Sequence, residues 1–236
     1  PNQIAGLEIS SAGNIIGGTT ASERNVISGN TLHGVLLTGA NASGNQVRGN
    51  FIGVDRTGLA ALANGTGVTI EVSATGNVIG GTVAGSGNVI ARNTGDGVRI
   101  TNAPANSVLG NFIGIDAGAS VALANGQNGI RIQGASSTNN VIGGTTAEAA
   151  NLIRHNTLRG ITLEATAGAG NSILRNSISA NSNLGIDLNN DGLTLNDAND
   201  VDGGSNNSQN FPLLFNAQVL GATTRVVGLL QTEASK

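Results

Sequence analysis

A block of about 63 residues occurs three times in this chain. Gly13-Asn14-Ile15-Ile16-Gly17-Gly18-Thr19 returns as Gly76-Asn77-Val78-Ile79-Gly80-Gly81-Thr82 and again as Asn139-Asn140-Val141-Ile142-Gly143-Gly144-Thr145. A second phrase keeps step, as Asn25-Val26-Ile27, Asn88-Val89-Ile90 and Asn151-Leu152-Ile153. Such regularity over most of a chain implies stacked supersecondary units instead of a closed globule.

Each block holds two coils. Their marker is glycine, a branched apolar residue, any residue, then Ile or Leu. It reads Gly6-Leu7-Glu8-Ile9, Gly34-Val35-Leu36-Leu37, Gly67-Val68-Thr69-Ile70 and Gly97-Val98-Arg99-Ile100, then Gly129-Ile130-Arg131-Ile132, Gly160-Ile161-Thr162-Leu163 and Gly185-Ile186-Asp187-Leu188. Seven markers predict seven coils. The alternation has the period of a β-strand. Two further short strands follow in each coil, as in Gln46-Val47-Arg48 and Phe51-Ile52. Three strands per coil, repeated along one axis, predict a solenoid with three parallel sheets. Ala60-Ala61-Leu62-Ala63 is the only helix-like piece, one turn at most.

Asparagines recur once per coil at three places: Asn14, Asn45, Asn77, Asn106, Asn140 and Asn171; Asn25, Asn50, Asn88, Asn111, Asn151 and Asn176; and Asn30, Asn64, Asn93, Asn125, Asn156 and Asn181. Stacked amides can bond the coil above and the coil below, satisfying corner backbone groups that burial would leave unpaired. Three ladders imply three corners.

In this pattern the chain resembles the right-handed parallel β-helix repeat proteins of the pectate-lyase-like superfamily. Phrases such as Arg24-Asn25-Val26-Ile27-Ser28-Gly29-Asn30 and Gly49-Asn50-Phe51-Ile52-Gly53-Val54-Asp55 are similar to those of large bacterial surface and secreted proteins. The resemblance covers roughly residues 6–190. It implies an all-β, right-handed parallel β-helix over 1–190 and an extracellular or cell-surface location. Residues 191–236 then form an Asp/Asn-rich turn with C-terminal capping strands or the start of a following β module. The superfamily holds lyases, hydrolases and non-catalytic adhesins, so the fold alone does not choose among them.

Composition narrows the core and the partners. Aromatics are 2% of 236 residues, so Val, Ile, Leu and Ala must fill a narrow interior. Leu7, Val35, Val68, Val98, Ile130, Ile161 and Ile186 should form one inward stack, and Ile9, Leu37, Ile70, Ile100, Ile132, Leu163 and Leu188 the next. Phe51 and Phe112 should take equivalent inward positions two coils apart. With no Cys, neither disulfides nor thiolate metal sites contribute. A net charge of −3, no basic run and four Phe as the only stacking rings argue against nucleic acid. No apolar stretch approaches a membrane span. The start at Pro1 and the lack of Met suggest a processed form or an excerpt of something longer, with Gly6 following a further coil.

Chemistry, if present, should sit on the outward side of the marked strand. One column is Glu8, Leu36, Thr69, Arg99, Arg131, Thr162 and Asp187; the next is Ser10, Thr38, Glu71, Thr101, Gln133, Glu164 and Asn189. Glu71, Arg99, Arg131, Gln133 and Glu164 form the candidate ligand groove, suited to carbohydrate. For a glycoside hydrolase, Glu164 and Asp187 would be the carboxylate pair. For a polyuronate lyase, Arg99 or Arg131 would act as base or neutralise the substrate carboxylate. Against both, Arg and Glu alternating on a solvated sheet usually pair across strands. Asp187-Leu188-Asn189-Asn190-Asp191-Gly192 fits the first half of a calcium loop, which makes Asp187, Asn189 and Asp191 a candidate Ca²⁺ site. The twelfth position is Ala198, where a calcium loop needs Glu, so an Asx-rich turn is favoured. Asp197, Asp200 and Asp202 add to the same acidic stretch. His33 and His155 fall at different points of the repeat and are expected in solvated turns. Asp55 and Asp116 should cap turns.

The favoured expectation is a non-catalytic β-helix segment with a structural, adhesive or fibre-forming role. Its partners would be carbohydrate, other surface proteins or copies of itself stacked end to end, and it would need no cofactor. The alternative is a polysaccharide lyase or glycoside hydrolase of the pectate-lyase-like type.

Overall fold

A computed structural model describes residues 2–198 and 203–230. The chain winds as a right-handed parallel β-helix with three sheets. The first sheet has seven strands: Ala5–Ile9, His33–Thr38, Thr66–Glu71, Val98–Thr101, Ile130–Gln133, Ile161–Glu164 and Ile186–Asn189. The second and third have six short strands each, running from Ile15–Gly17 to Ser172–Leu174 and from Val26–Ile27 to Ser177–Ser179. Every strand of the three sheets pairs in parallel with its counterpart one coil away, with like residues level: Val68↔Val98↔Ile130↔Ile161, and Val47↔Ile79↔Val108↔Ile142.

The interior is one continuous apolar column. Val35, Val68, Val98, Ile130 and Ile161 are fully buried, as are Leu37, Ile70, Ile100, Ile132 and Leu163. Each such side chain contributes about 1.5–3 kcal/mol. Ile186 keeps the register of its stack but is 44% exposed, because the last coil builds only its first-sheet strand and leaves the interior open beside it.

The coil-marking glycines are a packing requirement. A Cβ on Gly97 would lie 2.6 Å from the Gly129 carbonyl oxygen and 2.9 Å from the Ile113 methyl, where no Cβ fits. Gly67, Gly129 and Gly160 meet the same three neighbours from their own coils: a carbonyl, an Ile methyl and a ladder amide.

Three asparagine ladders run through the corners as the spacing predicts. Asn45 donates its backbone N–H and its side-chain amide to Asn77 Oδ1, at 3.0 and 2.9 Å. Asn88 does the same to Asn111, and Asn64 to Asn93. The amide also reaches back to a carbonyl of the preceding coil, as from Asn88 to Val47 at 2.7 Å. Two members escape the sequence pattern. Asn2 begins the third ladder by donating to Asn30 Oδ1, and Asn206 ends the first by accepting from Asn171.

Phe51 and Phe112 are level on the third sheet two coils apart, with Val89 between them, yet they do not point inward. Their neighbours Ile52 and Ile113 do, since successive strand residues face opposite ways. The rings join Val54, Val89, Ala91 and Leu123 in a second apolar cluster on the outer side, and the Arg24 guanidinium stacks over Phe51 at 4.1 Å. Small tabs contribute to this cluster. Asp55 and Asp116 cap them as expected, with Asp116 accepting N–H donors from Gly118, Ser120 and Val121. The segment 60–63 lies in such a tab, where Ala61 bridges Val54, and is not helical. Among the described residues, helical turns occur instead as 3₁₀ pieces at Ala21–Glu23 and Ala147–Ala149, while Asn206, Asn207 and Ser208 form a left-handed turn at φ 49°, 54° and 47°.

The C-terminal strands are a short antiparallel pair, Leu213–Leu220 and Thr223–Leu229. Among the described residues they pair only with each other, with every residue exposed. Segment 203–212, not the strand pair, meets the last coil. Ser205 and Ser208 bond Asn189, and Phe211 and Pro212 help line an open cavity of 760 Å³ beside Ile173, Ile186 and Leu188.

Candidate functional site

The outer face of the first sheet places the two predicted columns side by side, with Leu36, Thr69, Arg99, Arg131, Thr162 and Asp187 level on consecutive coils. A third column stands beside them, one residue before each marker glycine: His33, Thr66, Asp96, Asn128 and Arg159. The sequence pattern, taken to begin at the glycine, misses it. Extending the 28–33-residue marker spacing back by one position would have found it.

This extra column supplies partners to the first. Arg99 turns back onto Asp96, with Nε and Nη2 at 3.0 and 2.9 Å from Oδ2. Asp96 Oδ1 accepts the Asn128 backbone and side-chain amides. Asn128 Oδ1 in turn accepts the Arg159 N–H and the Thr162 hydroxyl. Arg159 donates to the Asp187 carboxylate. Arg131 pairs with Glu164 at 2.7 Å, and Glu164 also accepts the Asn190 amide. The Asp96 and Asp187 side chains have no exposed surface. Although Asp96, Thr162 and Asp187 lie on the outside of the coil, the long arms of Arg99, Arg131 and Arg159 lie over the same face and stay partly exposed.

The candidate catalytic groups are therefore engaged. Glu164 and Asp187 each answer to a different arginine, and Arg99 and Arg131 each hold a carboxylate. Of the proposed groove, Glu71 and Gln133 remain half-buried at the rim, where Gln133 donates to Thr101 Oγ1 at 3.0 Å.

The donor set at Asp187, Asn189 and Asp191 does not fit a cation. Asp187 is met by Arg159 and by the Gly192 N–H, while Asn189 Oδ1 accepts from Ser205. Asp191 is exposed. Among the described residues, no three His, Cys, Asp or Glu side chains gather as a metal site. Asp200 and Asp202 lie outside the described residues.

His33 is the first residue of a first-sheet strand, not part of a turn, and its Nδ1 lies 2.9 Å from Thr69 Oγ1. Burial lowers its pKa below the ordinary histidine value; Glu71 opposes that shift and Arg99 adds to it. His155 has a left-handed backbone at φ 60° at a corner. For Asp116, burial opposes ionisation, but the backbone donors of Val121, Ser120 and Gly118 outweigh it and hold the carboxyl low. In Asp55 the Thr57 hydroxyl is the main cause of a lowered pKa.

Among the described residues, no helix is long and apolar enough to cross a membrane. Comparisons with family models, with curated proteins and with solved structures gave no match.

Proposed function

We propose that this chain is a non-catalytic, extracellular or cell-surface β-helix segment of the pectate-lyase-like kind, with a structural, adhesive or fibre-forming role. One observation carries the proposal: on the most charged sheet face, Arg99, Arg131 and Arg159 are neutralised within the chain by Asp96, Glu164 and Asp187. A lyase needs a cation free to meet a substrate carboxylate, and a glycosidase needs two carboxyl groups turned toward one sugar. Here Arg131–Glu164 and Arg159–Asp187 link neighbouring coils sideways, and Arg99 is held by Asp96 within its own coil, as a scaffold requires. Glu71, Thr101 and Gln133 at the rim suit contact with carbohydrate hydroxyls or a neighbouring surface protein.

Incubation with a panel of uronate and neutral polysaccharides tests this, read as absorbance of unsaturated products and as new reducing ends. The expected result is no turnover with any member. Turnover that Arg131→Ala or Glu164→Gln abolishes, in variants that keep the wild-type melting transition, would overturn the proposal.

A further inference from the structure

Asparagine followed by glycine occurs three times in the chain, at Asn64-Gly65, Asn125-Gly126 and Asn128-Gly129. Packing asks for each of these glycines. A Cβ on Gly65 would collide with the Thr31 and Leu32 carbonyl oxygens, and one on Gly126 with the Thr94 carbonyl oxygen. On Gly129 it would lie 2.6 Å from both the Gly160 carbonyl oxygen and an Ile153 methyl. The asparagines are just as firmly required. Asn64 and Asn125 are ladder members, and Asn128 joins Asp96 to Thr162 on the first-sheet face. Coil packing thus places in the chain the dipeptide in which an asparagine side chain is easiest to lose. With no Cβ beside it, the glycine nitrogen reaches the neighbouring Cγ freely once the chain is unfolded.

The reaction is an internal attack. The glycine nitrogen bonds to the asparagine Cγ, the Cγ–Nδ2 bond breaks, and ammonia leaves with the former glycine N–H proton. Water then opens the cyclic imide to aspartate or isoaspartate.

In the folded chain both reactants are held. The N–H groups of Gly65, Gly126 and Gly129 donate to the carbonyls of Asn30, Asn93 and Arg159 at 3.1, 2.8 and 3.0 Å. The Asn64 amide donates to Asn93 Oδ1 and the Ile27 carbonyl, and the Asn125 amide to Asn156 Oδ1 and the Ile90 carbonyl. Asn64, Asn125 and Asn128 are 1%, 0% and 5% exposed, which keeps water away from the imide. The products do not fit the same seats. A carboxylate in place of the Asn64 amide would face Asn93 Oδ1 with an acceptor where a donor stood, and would bury a charge. Isoaspartate also lengthens the main chain and shifts the local register.

We infer that Asn64, Asn125 and Asn128 are deamidation sites that the coils shield and unfolding exposes, so that a chain left unfolded loses the ability to refold. The working life of the segment is then set by how rarely it opens, not by its equilibrium stability alone. This holds whatever the outer faces bind.

Timed incubation of the 236-residue chain in mildly alkaline buffer, with and without guanidinium chloride, is the test. Peptide mass mapping follows each asparagine, and dilution out of denaturant follows refolding. In denaturant these three sites should lose ammonia ahead of every other asparagine. In the folded chain the loss should be at least about a hundredfold slower, since it waits on an opening of buried, hydrogen-bonded backbone. After dilution, unmodified chains should recover the native melting transition and deamidated chains should not. Equal rates in the two states would refute the shielding, and earlier loss at other asparagines would refute the choice of sites. Deamidated chains that refold as well as unmodified ones would refute the link to irreversible unfolding.

Discussion

Asn206 sits level with Asn171 as if it belonged to one further coil. Its Oδ1 accepts the Asn171 N–H at 3.0 Å, and its amide donates to the Asn171 carbonyl at 2.6 Å. The segment after the last coil thus supplies a ladder member without supplying a strand. Asn206→Ala should leave the Asn171 N–H and carbonyl to solvent at the open end and cost about 1 kcal/mol. Mid-ladder, Asn106→Leu removes the acceptor of Asn77 together with two amide donations of its own, to Ala74 and Pro104. It should cost about 3 kcal/mol or more, because the stranded groups are fully buried. Urea denaturation of the two variants checks the ranking, and equal losses would contradict it.

The Arg159–Asp187 pair predicts an asymmetry. Arg159→Ala leaves a carboxylate with no exposed surface in the fold and, among the described residues, only the Gly192 N–H to meet it, and should destabilise by about 3–5 kcal/mol. Replacing both residues by apolar side chains of similar volume should cost far less, since no charge is then left buried. The comparison needs chemical denaturation of both variants, and a double replacement as damaging as the single one would refute it.

Gly97→Ala should cost about 1–3 kcal/mol by overpacking against the Gly129 carbonyl and Ile113. Gly203, with no atom within 4 Å of an added Cβ, should accept alanine within about 0.5 kcal/mol. Thermal melts of the two proteins separate a packing glycine from an incidental one.

Acidification should weaken the fold in two stages. The folded pKa of His33 lies below its unfolded value of about 6.5, so the unfolded chain takes up the proton first. Its stabilising contribution is complete above about pH 6.5 and declines as the pH falls from there toward the folded value. Asp55 and Asp116 also have lowered pKa values, so their contributions hold above about pH 3.9 and fade below it. Denaturation midpoints measured in steps below pH 7 should show the first stage flattened in His33→Gln and the second unaffected by that change.

Much of the architecture was legible in the chain because repetition writes the same physical demand many times over. Glycine before Val98 or Ile130 reports a spot too tight for a Cβ, and Asn77 or Asn111 reports a corner that needs a shared amide. Single events were harder to see. Asp96, Asn128 and Arg159 share one repeat position but differ in residue type, so no common letter marks them. Phe51 looked like core because it is apolar, and it is buried, though on the opposite side of the strand. Strand alternation fixes only that Phe51 and Ile52 diverge. Which of them faces inward depends on register with the neighbouring coils.

By itself, then, the order of residues determined the period, the three parallel sheets, the inward columns and the ladders, since each follows from local patterning repeated at fixed spacing. Only the tertiary structure decided which charges meet. Arg99 chooses Asp96 within its own coil, while Arg131 and Arg159 reach across to the next, and those choices depend on side-chain direction and on what covers what. It also decided the fate of the C-terminal strands, whose β pattern is plain but whose partners are set by where the chain leaves the last coil.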